Sequence, residues 1–304
     1  MTTGPPDDPE QVNRAIGMLQ GRPGRPFLVR AYLGFSDTTS PNGPHETATP
    51  ATALQYTGEG RALDLVAQYQ SAAGNVPGYA AFVRQVVSQY GAQTATLQVT
   101  EEPNMPDNPV LDGYYPKVVE ALVAGVSAAK ERARELGFDH LRVGFNTTPL
   151  FGPGASFIAD LVQAGGPAFV CDLDYIGLDF FPDVFRPVPI IELADAVTGL
   201  LRHHRENVLA PAGLGDVPLH ITEHGWPTGP DRSSARQSEV VETVVRALAG
   251  AAAQLNITTY THFSLRDADS SNSGLFHQFG LLTDTYTPKP AFHTYRDLIN
   301  ELAG

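Results

Sequence analysis

The chain has 304 residues, 42% hydrophobic and 17% charged, enough for one large core. Its net charge of −13 supplies neither the basic footprint that nucleic acid requires nor a polybasic patch for a membrane surface. The single cysteine, Cys171, excludes an intramolecular disulfide and a cysteine metal cluster.

The opening MTTGPPDDPE has neither the basic nor the apolar region of a secretion signal, so a cytoplasmic location is expected. No run of about 18 apolar residues occurs. Residues 1–25 read as a leading segment with a short helix over about 8–19. FLVRAYLGF (27–35) is the first strand-like run, followed by a Thr-, Pro- and Gly-rich loop over 36–61. LDLVAQYQ (63–70) is the second strand, and Phe82, Val83, Val86 and Val87 mark a helix over 78–90. TATLQVTEE (94–102) is the third. Val118, Leu122, Val126, Ala129 and Ala133 then mark a helix over 114–136, which Gly137 terminates. Cys171 is read as a small buried hydrophobe.

HLRVGFNTT (140–148), DYIGLDFF (174–181), PLHITEHGW (218–226) and TTYTHFSLRD (258–267) complete seven strands. Helices are expected over 190–205, from a capping-box pattern at Ser234 and Gln237 to about 254, and over 291–302; 267–280 is a loop. Strand followed by helix, repeated, implies a parallel sheet with crossover helices. The expected fold is α/β: a (β/α)₈ TIM barrel over 1–304 as one domain, its first strand weak or missing.

Two glutamates stand at strand ends. Glu102 precedes Pro103, which cannot continue a ladder, and Glu223 precedes the Gly225-Trp226 break. Alternation along 94–102 puts Glu102 with Gln98 and Thr100, toward the barrel mouth, and Glu101 with Leu97 and Val99, toward the helices. All strand C-termini of a barrel open on one face, so distant strands can present two carboxyls together. Retaining glycoside hydrolysis needs such a pair about 5–5.5 Å apart. Tyr69, Asn146 and Phe181, also near strand ends, are candidates for lining the pocket, and Trp226 offers a stacking face for sugar C–H groups. His224 can bind substrate or tune a glutamate, whereas His220 is read as structural. Asp267 and Asp269 are read as capping or solvated, and Arg266 as a loop anchor. The nine histidines show no HExxH-like spacing, so neither metal nor other cofactor is expected.

TEEPN (100–104), ITEHGWPTG (221–229), FSLRDAD (263–269) and FGLLTDTYTPKPAFHTYRDLI (279–299) together resemble the clan A glycoside hydrolases, over roughly residues 27–299. The resemblance makes 94–102 strand four, 218–226 strand seven and 258–267 strand eight, leaving the first strand unaccounted for. It implies Glu102 as acid/base, Glu223 as nucleophile, a carbohydrate substrate with a β-linked bond, and Arg30 as the residue that keeps the nucleophile ionised. Three positions depart from the clan pattern. Glu101 replaces the Asn that contacts the sugar, His262 replaces a Trp platform, and Asp179-Phe180-Phe181 lacks the Tyr that partners the nucleophile. Those departures keep open a non-catalytic barrel that binds carbohydrate or protein. A divalent-metal barrel using Glu101, Glu102 and Asp107 is a further alternative.

Overall fold

The computed structural model describes residues 4–38, 45–46 and 53–302. The β-rich runs form strands β1 (Phe27–Ser36), β3 (Arg61–Gln70), β4 (Thr94–Val99), β5 (Arg142–Thr147), β6 (Tyr175–Asp179), β7 (Leu219–His224) and β8 (Ile257–His262). These pair in that order, every neighbour parallel. A two-residue strand, β2 (His45–Glu46), lies antiparallel on the other edge of β1, opposite Leu33 and Gly34. The sheet curls on itself, because Arg30 of β1 comes within 3.7 Å of Glu223 of β7 although four strands separate them in the sheet.

Crossover helices clad the outside, α2 (Val76–Tyr90), α3 (Val118–Leu136), α4 (Phe157–Asp172), α5 (Ile190–His203) and α6 (Ser234–Leu255), and α7 (Pro290–Leu302) follows the last strand. The main core lies between them and the sheet, where Leu65, Tyr79, Val83, Leu122 and Val126 are buried. Gly137 closes α3 in the left-handed conformation, as its position required. The cap of α6 falls one residue before the expected one. Ser233 accepts from the Arg236 amide, and Gln237 is instead buried, donating to the Trp226 and Gly280 carbonyls. α4 escaped the sequence pattern because Gly165-Gly166-Pro167 interrupts its periodicity, Gly166 leaving helical geometry at φ 67°. Cys171, in the last turn of α4, is exposed rather than buried.

The expected eight-stranded closure is absent among the described residues: no ladder joins β8 to β1. Residues 27–30 of β1 are half-buried, as is most of β8, whereas β4, β6 and β7 are almost wholly buried. Helix α1 (Pro9–Gln20), capped by Asp8, covers this seam. Its Val12 and Ile16 join Tyr56 against Phe27, Val29 and Leu265. A helix therefore sits where a ring of strands would close. No described helix is long and apolar enough to cross a membrane.

An unpaired strand edge leaves its outward amides open to water. Amide exchange should be faster along the seam edges of β1 (27–31) and β8 than along β4–β6 under native conditions. Equal protection across all seven strands would mean that the seam is closed in solution.

Candidate active site

The end of β4 departs from regular alternation. Pairing stops at Val99, and Thr100 and Glu102 both take left-handed backbone angles, φ 68° and 44°. Asp112 holds this kink: one carboxylate oxygen accepts from the amides of Glu101 and Tyr69, each at 2.7 Å. The kink turns Glu101 inward, to 2% exposure, against the expectation that it would face the helices. There Glu101 accepts from Gln98 Nε2 at 2.7 Å and from Asn146 Nδ2 at 3.3 Å. Glu102 also reaches the cavity, half-buried, its amide donating to Asn146 Oδ1. Both glutamates thus face the strand C-terminal opening.

Arg30 is the hub beneath them, its side chain only 8% exposed. It donates to Asp64 at 2.8 Å, to Gln98 at 2.8 Å and to the Tyr32 hydroxyl oxygen at 2.9 Å. It also pairs with Glu101 at 3.6 Å and Glu223 at 3.7 Å. Burial works against its charge, but Tyr32, Asp64, Glu101 and Glu223 more than offset this and hold its pKa above the usual value. The Tyr32 hydroxyl in turn donates to Glu223. A tyrosine from β1 thus contacts Glu223, where the β6 stretch Asp179-Phe180-Phe181 offers none.

One cation among several buried carboxyls cannot keep them all ionised. Burial, Glu101 and Glu223 push Glu102 up to about 8. Burial and the charges of Asp179 and Glu223 raise Glu101, while burial and the charges of Glu223 and Glu102 raise Asp179. Burial also raises Glu223, but Arg30 and the Tyr32 hydrogen bond pull it back toward ionisation. Oxygens of Glu101, Glu102 and Asp179 lie within 4.8 Å of one another, whereas Asp107 is exposed and outside the group. Protein donors already hold two of these carboxylates: Asn146 and Thr222 bond Asp179, and Gln98 and Asn146 bond Glu101.

These carboxyls line a cavity of about 2010 Å³ that also takes in Phe181 and His262. Asn146 stands behind it as a buried positioning residue. Tyr69, expected at the pocket, points the other way: its ring meets Tyr79 and its hydroxyl donates to the Pro116 carbonyl. Trp226 is no open platform at 4% exposure. It packs in the main core and donates from Nε1 to Asp183. His262 forms a part-buried chain with Tyr260 and the buried His224, and desolvation lowers the His262 imidazole to about 3. His220 stacks on Tyr175 at 4.0 Å, in keeping with a structural role.

Lys289 was not anticipated. Its buried amine donates to Asp267 at 2.7 Å, Thr228 at 2.9 Å and the Gln278 carbonyl at 3.2 Å, tying the loops after β7 and β8 together. Asp267 is accordingly buried rather than solvated. Asp269 accepts from the Ser271 amide in the loop, and Arg266 reaches Asp7 and the carbonyls of Pro5 and Asp284. Asp179, Asp112, Tyr32 and Lys289 carry no local motif; only their three-dimensional partners reveal them.

No family model matches the sequence, and no curated protein matches it. The fold is shared with solved glycoside hydrolases. The β-D-glucuronidase of Dictyoglomus thermophilum aligns with a TM-score of 0.62 at 11% identity, over 97% of this chain and 47% of its own length. A Ruminococcus gnavus β-glucuronidase in complex with D-glucuronic acid gives 0.60 at 13%, over 95% and 45%. A family 39 glycoside hydrolase from the gut symbiont Bacteroides cellulosilyticus gives 0.62 at 17%, over 97% and 62%. The chain spans about half the length of the glucuronidases it matches. At these identities the likeness is one of fold.

Two outcomes follow from the charge balance. Arg30→Met removes the cation between Glu101 and Glu223 and should cost about 3–5 kcal/mol in urea unfolding at pH 7, as expected for a broken buried pair. A loss under about 1 kcal/mol would contradict the hub. Glu102 titrates near 8 when folded against an ordinary 4.5, so between those values the folded state holds the extra proton. That contribution is full below about pH 4.5 and is lost as pH rises through 8. The urea midpoint should therefore fall from pH 5 to pH 8.5, and Glu102→Gln should reduce the slope; an unchanged slope would show that Glu102 ionises normally.

Proposed function

We propose that the chain is a retaining glycoside hydrolase acting on β-linked glycosides, with Glu223 as nucleophile and Glu102 as acid/base. The observation that carries this reading is the contrast between the two carboxyls over one cavity. Glu102 keeps its proton at neutral pH, while Glu223 faces Arg30 and Tyr32, the two groups that favour its ionised form. Burial raises Glu223 as well, and these two partners are what distinguish its surroundings from those of Glu102, as a nucleophile beside an acid requires.

Glu223 Oε attacks the anomeric carbon as the bond to the leaving oxygen breaks, and Glu102 donates its proton to that oxygen. Loss of the Glu223 negative charge in the glycosyl-enzyme removes one of the influences raising Glu102, which then accepts a proton from water as that water attacks the same carbon. Glu223 leaves as the carboxylate, and Glu102 regains its proton. Arg30 and Tyr32 orient Glu223 throughout. The sugar-cleaving enzymes among the structural neighbours support carbohydrate as the ligand.

Glu223→Gln should abolish turnover of every glycoside. Glu102→Gln should lose about 10²–10⁴-fold on poor leaving groups, the usual range for general acid catalysis, while sparing 4-nitrophenyl glycosides in the first step. Equal losses on all substrates would reverse the assignment. In the native enzyme kcat/KM should fall on the alkaline side with an apparent pKa near 8, where Glu102 loses its proton. A profile flat to pH 9 would exclude Glu102 as the acid.

A further inference from the structure

The rim of the cavity differs chemically from its floor. On the floor stand Arg30, Glu101, Glu102, Asp179 and Glu223. On one side of the rim, five phenylalanines from two loops, those after β6 and β8, form a continuous wall. Phe181 meets Phe185, Phe263 and Phe279 at ring-centre distances of 6.4, 6.0 and 5.7 Å. Phe276 stacks on Phe279 at 6.1 Å and meets Phe185 at 6.4 Å. Phe185 is 62% exposed and Phe276 55%, and all five line the cavity. Val110 and Phe151, which also line the cavity, are exposed too.

Phenylalanine offers a ring face but no polar tip, unlike the Trp or Tyr that stack on a sugar and also bond its hydroxyls. Asp183, next to the wall, has its carboxylate engaged by Trp226, Arg236 and the Val188 amide. Exposed apolar clusters of this kind on a protein surface mark binding sites. This cluster is continuous with the catalytic cavity, and polar floor beneath apolar rim matches an amphipathic ligand.

We infer that the phenylalanine wall is the subsite for an apolar aglycone, so that the substrates are sugars joined to alkyl or aryl alcohols rather than oligosaccharides. The inference rests on the glycosidase reading for the floor of the same cavity. Lys289 and Asp267 fix the loop that carries Phe276 and Phe279, so the wall is held in place before the ligand arrives.

The test compares hexyl and methyl β-glycosides of whichever sugar a panel of 4-nitrophenyl β-glycosides identifies. The two alcohols differ little as leaving groups, so the comparison reads binding. The hexyl glycoside should exceed the methyl by tenfold or more in kcat/KM, chiefly through KM. Tenfold corresponds to about 1.4 kcal/mol, the effect of burying about two methylene groups. Phe185→Ser/Phe276→Ser, both at exposed sites, should bring the ratio toward one with thermal unfolding unchanged. Equal kcat/KM for the two glycosides, or a ratio that survives the double variant, overturns the inference. If no glycoside is hydrolysed, the catalytic reading fails, and calorimetric titration with hexyl and methyl β-glucoside decides the wall by itself. Tighter hexyl binding that the double variant loses upholds it; equal affinities overturn it.

Discussion

A single buried guanidinium organises the interior. Arg30 cannot shed its charge, so the surrounding structure must supply anions and acceptors in fixed places. Asp64 and Gln98 satisfy it from the two strands beyond β1, and Glu101 and Glu223 approach it from the kinked end of β4 and from β7. Tyr32, two residues along the same strand, relays it to Glu223. Glu101 and Glu223 thus converge on one cation in a low-dielectric interior.

The same residue type then meets different surroundings by placement. Glu102 stands at the cavity edge, not paired directly with the cation, and burial with its acidic neighbours leaves it protonated. Glu223 faces the cation and a hydroxyl donor. Around them Asn146, Thr222 and Gln98 aim amide and hydroxyl hydrogens at carboxylates, so the polar layer orders itself before any ligand enters.

Much of this was legible in the sequence. All seven parallel strands lie within or beside the runs that announced them, because buried strands of a parallel sheet read as short apolar β-branched stretches between helices. Glu102 and Glu223 were singled out because the residues after them stop a strand, although β4 in fact ends at Val99. Glu101 was misplaced for a physical reason: alternation holds only while backbone angles stay extended, and Thr100 and Glu102 leave that region where Asp112, eleven residues further along the same loop, holds the Glu101 amide. Tyr69 and Trp226 failed similarly, since position near a strand end does not say on which side of the sheet a ring falls. Tyr32 was silent because its partner, Glu223, is 191 positions away.

The open seam gives these charges a second task. In a sheet closed into a ring, backbone hydrogen bonds set the diameter all the way round. Here the hoop is cut between β8 and β1, and among the described residues the links that span the interior include the Arg30 and Tyr32 contacts with Glu223. They act as a clasp on a sprung collar: the groups that meet over the cavity also hold the curvature that brings them together.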